Sequence, residues 1–511
     1  MKRDGANTSI WQANFDNYSA NPYEQKKIYD VVIVGGGISG VSIAQLLQKN
    51  GQSCFLAEAQ FLGFGTTSGT TAHLNTLLDL SYKELENKYG EENAKLILKA
   101  TRGAISFLES NVNEYNIDCN FKKRDGFLFS QNDDQTKELE RIFEASIKAG
   151  CDVSYSENIS IPVPFEKALC YKDQGQIHPI KYLFSLAKEY EKLGGHIQQQ
   201  CRVSNLKNLD DNLIEIETSI GKVVSRNIVY ATHIPPGVNV LHFKCAPYRT
   251  YAMAFTVDDL QYPESLVYDM FDPYHYYRSH EINGQKVIIA GGNDHKTGEE
   301  KNTESCFISL EAYLKKYFKI KEVLFKWSSQ FFEPIDGLPY IGHLPGNPSN
   351  YYVATGYGGN GITFSQVAAQ LLSDIITGKQ NEFEKLFTPS RIKPVAGFTN
   401  FIKDAADVIS HLATAPFIGG EIKEAAEIAK GEARIVNFKN RKLAIYKDET
   451  GKIYPLNAAC THIKCDVAFN YTEKVWECPC HGSRFSIAGE MITAPARKDL
   501  EIISLFKEEN K

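Results

Sequence analysis

IYDVVIVGGGISG occupies residues 28–40, and VSIAQLLQKNG follows it directly. The apolar, β-branched run YDVVIV reads as a strand and ends in Gly35, Gly37 and Gly40 at G-x-G-x-x-G spacing. An amphipathic helix pattern then begins, and SCFLAEA (53–59) reads as a second strand carrying Glu58 and Ala59. Each residue has a physical task. Gly35 makes the tight turn, Gly37 lets the backbone approach a pyrophosphate, and Gly40 lets the helix pack on the strand. Ile38 and Ser39 open the helix, whose N-terminus faces the phosphates, and Glu58 can hold ribose hydroxyls. The segment therefore predicts an α/β, Rossmann-like dinucleotide-binding unit.

Bulk properties bound the rest. A chain of 511 residues is too long for one core, and 43% hydrophobic with 23% charged residues is ordinary for a folded protein. The net charge of −6, with no basic run, argues against nucleic acid as a partner. The polar start MKRDGANTSIWQANFDNY has no apolar stretch of signal-peptide length, and no later run reads as a membrane span. The expectation is a cytoplasmic protein.

Seven of the eleven cysteines (Cys54, Cys119, Cys151, Cys170, Cys201, Cys245 and Cys306) are scattered singly, as reduced core residues are. The other four crowd into AACTHIKCDVAFNYTEKVWECPCHGSRF (458–485). Cys460-x-His462 and Cys478-x2-His481 are separated by fifteen residues. Two thiolates and two imidazoles in this order suit a [2Fe-2S] cluster with cysteines on one iron and histidines on the other. Neutral imidazoles reduce the cluster's negative charge and raise its potential. Tetrahedral zinc is the competing reading of the same four residues, although the paired short spacings of a zinc finger are missing.

The segments CTHIKC (460–465) and CPCHGS (478–483) closely resemble the Rieske proteins of respiratory cytochrome complexes. The resemblance implies a Cys465–Cys480 disulfide clamping the two loops, and a proline loop and last strand at APARKDLEII (494–503). ARIVNF, KLAIYKD and GKIYPL, from Ala433, read as strands of this small all-β domain. One departure matters. Ser483 is in place, but Phe485 stands where that family carries a tyrosine that donates to a ligand sulfur. Without that donor the reduced cluster is less stabilised, which predicts a potential near the low end of the roughly −150 to +300 mV range.

The front of the chain resembles the FAD-dependent D-amino-acid oxidase and glycine oxidase family. FLGFGTTSGTTAHLN (61–75) is similar to its second phosphate loop, which implies FAD contacts at Gly65, Thr66, Thr67 and Thr71. GQIHPIKYLFSLAKEYEKLGGHI (175–197) leads to an adenine-side strand near Val203, and IVYATHIPP (228–236) carries Thr232. EPIDGLPYIG (333–342) and YVATGYGGNGITFS (352–365) resemble the C-terminal flavin motif, with Gly358, Gly359, Asn360, Gly361, Ile362 and Thr363 at the flavin. The helix that follows would aim its positive end at the flavin ring. In this family an arginine and tyrosines on a strand grip the substrate carboxylate. The resemblance places that role on Arg278 and Tyr277 in YDMFDPYHYYRSHEINGQKVIIAGGNDHKTG (268–298), with Tyr251 nearby; an edge strand is the alternative.

The expected organisation is an extension over 1–27, then an FAD-dependent oxidoreductase over 28–390. Its FAD-binding segments lie at about 28–80, 150–240 and 330–385, and an α+β antiparallel-sheet substrate domain at about 81–149 and 241–329. A helical linker follows over 391–430, with Phe401, Ile402, Ala405, Ile409 and Leu412 on one face, and the Rieske domain covers 431–511. Flavin handles electrons in pairs or singly, so it sits naturally between a two-electron substrate and a one-electron cluster. The expectation is a dehydrogenase oxidising a C–N bond of an amine or amino acid, with an external electron acceptor as partner; a homo-oligomer is left open. Alternatives are an oxygen-reducing oxidase with a structural cluster, a reductase or monooxygenase fed through the cluster, and a non-enzymatic redox sensor.

Overall fold

The structure is a computed structural model that describes residues 1–391 and 428–504, apart from 2, 14, 259–261, 283, 439 and 440. The linker helix expected around Phe401–Leu412 lies outside the described residues.

Strand Tyr29–Val34 lies at the centre of a largely parallel sheet, between Cys54–Ala57 and Gly221–Tyr230. His196–Gln198 extends it on one side, and Tyr351–Thr355 followed by antiparallel Tyr340–His343 on the other. Its strands are buried on both faces, which is why they read as unbroken apolar runs rather than alternating ones. Helix Ile38–Lys49 packs against helices Pro179–Lys192 and Gly361–Ile376, so three segments far apart in sequence meet over one sheet.

A second, mostly antiparallel sheet runs in the order 320–334, 245–257, 285–296, 276–282, 266–269, 122–130, 167–176, 73–74. Within it Tyr276–Ile282 and Gln285–Lys296 form a hairpin that turns near Gly284 at φ +79°. Strands His73–Leu74, Val153–Ser156 and Lys167–Gln176 also belong to this sheet, although they fall in segments assigned by sequence to the dinucleotide side. They pair with one another and with Lys122–Ser130, a long-range register that carries no local signal.

The C-terminal region holds two small antiparallel sheets. One comprises Ala433–Phe438, Arg441–Lys447 and Ile453–Asn457; the other comprises Ala468–Asn470, Val475–Glu477, Arg484–Ser486 and Met491–Thr493. The last strand expected within 494–503 is reduced to one bridge, Leu456 to Ile502.

These parts meet over buried charge. Arg249 on the large antiparallel sheet pairs with Glu477 of the C-terminal domain, and Arg484 pairs with Asp4 of the N-terminal segment at 2.5 Å. Arg3 and Glu473 complete a group of three arginines and three acids whose side chains are at most 6% exposed. Residues 3–12 are therefore a wedge between the two domains. Trp11, fully buried, donates to the Thr70 carbonyl at 2.5 Å, and the Ser9 hydroxyl donates to the Ser68 carbonyl at 2.5 Å.

Candidate functional site

Gly35 adopts φ +113°, and a Cβ there would lie 2.5 Å from the Ala231 carbonyl oxygen. At Gly40 a Cβ would come within 1.8 Å of the Gly35 carbonyl oxygen, so this glycine sets how closely the helix meets the turn. Glu58 is held by the backbone: the Gly36 amide donates to Oε2 at 2.6 Å and the Gln60 amide to Oε1 at 2.7 Å. Burial pushes the Glu58 carboxyl up, against the pull of these two amides and of Arg202.

A cavity of about 660 Å³ opens from this turn. Gly35, Gly37, Ile38 and Ser39 line it, with Glu58 and Ala59 from the next strand and Gly65, Thr66, Thr67 and Thr71 from the loop beyond. Val203, Thr232 and the turn of Gly358, Gly359, Asn360, Gly361 and Ile362 complete that wall. Gly40 and Thr363 lie behind it. Gly40 is packed on Gly35, and the Thr363 hydroxyl is engaged by the backbone of Asn75.

The residues fit a flavin dinucleotide. The helix Gly361–Ile376 starts without a side-chain cap where its first residues face the cavity. Beside it, Tyr357 Oη and Asn360 Oδ1 are buried polar atoms with no partner in the protein. A bound group with polar edges would satisfy them.

At the C-terminal domain, Cys460 and Cys478 are fully buried, and the rings of His462 and His481 meet at 5.0 Å with a 90° interplanar angle. Both ring nitrogens of each histidine are buried without a hydrogen-bond partner; the Gly237 backbone lies beside His462 outside bonding geometry. Four orphaned imidazole nitrogens beside two buried thiols fit metal ligation. Donors of one zinc ion, at bonds of about 2.0–2.3 Å, would lie within roughly 4 Å of one another. Among the described residues, the three donors within 4.8 Å of one another are Cys465, Cys478 and Cys480, so Cys460, His462, Cys478 and His481 do not close round a single ion. Their spread suits two irons. Cys465 and Cys480 are joined by a disulfide beside them.

Comparison with known proteins places both halves. The family model for FAD dependent oxidoreductases (DAO) matches residues 30–375, and the Rieske [2Fe-2S] domain model matches 420–504. The chain belongs to the FAD-dependent oxidoreductase family of the DAO type. It carries a Rieske domain at its C-terminal end, and its cofactors are FAD and a [2Fe-2S] cluster. It is 32% identical to the Rieske 2Fe-2S iron-sulfur protein YhfW of Bacillus subtilis, over 97% of each chain. It is 23% identical to the gamma-glutamylputrescine oxidoreductase of Escherichia coli, over 70% of this chain and 85% of that one. Among solved structures, glycine oxidase from Geobacillus kaustophilus superposes with a TM-score of 0.60 at 17% identity, over 72% of this chain and all of that one, a likeness of fold.

Within this DAO-type fold the expected substrate arginine does not reach the cavity. Arg278 is fully buried, and its Nη1 donates to the carbonyls of Thr71 (2.9 Å) and Ala72 (2.7 Å). Its Nη2 meets His280 Nδ1 at 2.7 Å. Burial lowers its pKa to about 9, which leaves it charged at neutral pH, and backbone dipoles serve as its counter-charge. The guanidinium is spent on fixing the phosphate loop to the sheet. Tyr277 and Tyr251 also point away, the first toward Tyr313 Oη (3.3 Å) and the second toward His295 Nε2 (2.9 Å), because strand alternation turns both to the opposite face of the sheet.

The cavity's inner end is built from other residues: His73, Asp79, Thr250, Tyr268, Tyr274, Tyr276 and Asp294. Tyr268 Oη sits 2.7 Å from His73 Nδ1 and accepts from Asn75 Nδ2 at 2.8 Å. Tyr274 and Tyr276 lie in the same segment 268–298, three and one positions before Tyr277.

The Rieske domain closes the same cavity. Met491, Ile492, Thr493, Ala494, Ala496 and Arg497 line it, the Gly237 amide donates to the Pro495 carbonyl at 2.9 Å, and Arg497 donates to the Pro236 carbonyl at 3.2 Å. His242 of the flavoprotein packs its ring against both histidines expected as cluster ligands, at 4.7 Å from His462 and 5.8 Å from His481, and Phe243 stands 5.5 Å from His481. His242 is fixed in turn by a 2.8 Å contact of its Nε2 with the Pro235 carbonyl. Sequence reading missed His242 and the charged wedge. Their one signal was charge inside apolar strands: Arg249 in CAPYRTYAMAF and Glu477 in VWECPC.

Proposed function

We propose that this protein is a flavoprotein dehydrogenase that oxidises a C–N bond of an amine or amino acid and passes the electrons, one at a time, to its Rieske cluster and an external acceptor. FAD supplies the two-electron acceptor for a substrate hydride, and the cluster supplies a one-electron relay. The observation that carries this reading is the orientation of the cluster domain. The two ligand histidines face the flavoprotein through His242 and Phe243, and the loop 491–497 shares a wall with the cavity that the dinucleotide-binding residues line.

The chain's own residues divide the labour. Glu58 and the amides of the Gly35–Ser39 turn hold the dinucleotide, the loop 65–71 and the turn 358–362 hold its flavin half, and the loop 491–497 excludes water between the centres. The relatives are named as an oxidoreductase of gamma-glutamylputrescine and an oxidase of glycine, two nitrogen-bearing substrates, which favours a C–N bond here.

Anaerobic titration of the full-length holoprotein with amines and amino acids tests the reading. The flavin should bleach and the cluster's reduced electron-resonance signal should rise in proportion, before any acceptor is added. A bleached flavin beside a cluster that stays oxidised overturns it, as does reoxidation by oxygen that outruns cluster reduction.

A further inference from the structure

The inner end of the cavity has no permanent cation. Among the described residues, Arg202 and Arg497 are the arginines that line the cavity and no lysine does. Both sit where the Rieske domain closes the dinucleotide end: Arg202 donates to the Met491 carbonyl at 3.1 Å and Arg497 to Pro236. The two cavity histidines are held neutral. Burial, with Arg278 beside it, pushes His73 well down, and burial lowers His233 to about 4. Arg278, buried behind this end, is occupied by backbone carbonyls. A substrate carboxylate entering here would find no counter-charge.

It would find carboxylates instead. Asp79 reaches across the flavin turn: the Gly359 amide donates to Oδ2 at 2.7 Å, and Asn360 Nδ2 and Tyr274 Oη donate to Oδ1 at 2.9 and 3.3 Å. Asp294 faces the same space from the strand Gln285–Lys296, and its Oδ1 is buried with no partner. The unsatisfied oxygen of this side chain, whose carboxylate otherwise bonds the Thr250 hydroxyl, asks for a donor from a ligand. Burial, with Asp79 and Asp272 nearby and against the pull of the Thr250 hydroxyl, raises Asp294 to about 7. Tyr274 and Tyr276, with ring centroids 5.8 Å apart, offer aromatic faces beside the two acids, and Leu77, Leu80 and Phe271 add apolar lining.

We propose that Asp294, assisted by Asp79, binds the substrate's ammonium group, so that the substrate is an alkyl or arylalkyl amine recognised as a cation and not an amino acid gripped by its carboxylate. This narrows the proposed reaction and rests on it.

The test is equilibrium binding to oxidised, FAD-loaded full-length protein without oxygen, using benzylamine and benzoate, which match in shape and differ in sign of charge. Benzylamine should perturb or bleach the flavin spectrum saturably, and benzoate should leave it unchanged over the same range. Asp294→Asn should raise the benzylamine dissociation constant about 30-fold or more, with FAD content and the cluster's resonance signal unaltered. Saturable binding of benzoate, equal binding of benzylamine by the variant, or no response to benzylamine would each overturn the proposal. Should the variant fail to load FAD, the wild-type comparison of the two probes still decides. The electron route is read separately, by photoreducing the flavin with no substrate present and following the cluster. Cluster reduction there with a failed benzylamine test discards the substrate class alone.

Discussion

Replacing Glu477 by Gln keeps the side chain's size and removes one of six buried charges where the two domains meet. Glu477 Oε1 contacts Arg249 Nη2 and lies 3.4 Å from Arg484 Nε, while Oε2 accepts from Asn470 Nδ2 at 3.2 Å. At an effective dielectric near 20, a pair 3.4 Å apart attracts by roughly 5 kcal/mol before desolvation is counted. Two such attractions vanish in Glu477→Gln, and the three arginines keep only Asp4 and Glu473 as partners. The penalty for stranding a buried charge is about 3–5 kcal/mol. Because Arg249 belongs to the flavoprotein and Glu477 to the Rieske domain, most of that loss should appear as undocking. The assay is urea unfolding followed by cluster absorbance and by flavin fluorescence. Glu477→Gln should bring cluster loss well ahead of flavin release. The double variant Arg249→Met/Glu477→Met should recover part of the loss, since it removes both charges together, with a coupling of about 1.5 kcal/mol or more. A single variant within about 1 kcal/mol of wild type, or a double variant equal to the sum of the singles, would refute the reasoning.

Three further outcomes are expected. Burial would raise Asp4 and Glu473, but Arg484, Arg3 and Arg249 together hold both carboxyls below their usual values of 3.8 and 4.5. Groups depressed in the folded state stabilise it above those values and lose that contribution as pH falls through the folded ones, so the melting midpoint should drop below about pH 4.5 and Asp4→Asn should flatten the slope. Phe485→Tyr, in the buried core that also holds Cys460 and Cys478, should raise the cluster potential by about 40–60 mV in a redox titration if the new hydroxyl reaches a sulfur; an unchanged potential removes the assigned role of that position. His242→Ala, which removes the ring packed on both ligand histidines, should leave substrate bleaching of the flavin intact and slow the appearance of reduced cluster in stopped flow.

What could be read from the sequence was what local spacing enforces. Gly35, Gly37 and Gly40 are required by one turn, and Glu58 closes it from the next strand, so thirty residues contain the whole argument. Cys460, His462, Cys478 and His481 sit on two short loops whose spacing is itself the ligand geometry. Arg278 failed for the opposite reason. The carbonyls of Thr71, Ala72 and Ile177 that occupy it lie 101 to 207 positions away. A strand with an arginine reads the same whether the guanidinium meets a ligand or the chain's own backbone. The hairpin at 276–296 carried a local signal as well, the pair Asn283-Gly284 between two apolar runs.

The wedge of residues 3–12 shows the same limit at a larger scale, and it bears on mechanism. Arg3 and Asp4 look like an ordinary solvated start, yet they complete a neutral group of six charges drawn from three distant segments. A buried ionic group of this kind is weak evidence for stability, since apolar packing would serve as well; what it enforces is one docked geometry, because any other leaves charges stranded. A rigid dock is what a fixed relay needs. His242 and Phe243 pack on the edge formed by His462 and His481, so on the proposed route electrons entering from the flavin side and leaving to an acceptor would use different faces of the Rieske domain. An acceptor that competed with the flavoprotein for His462 and His481 would have to break the charged wedge first, and Glu477→Gln would then speed its reduction instead of slowing it.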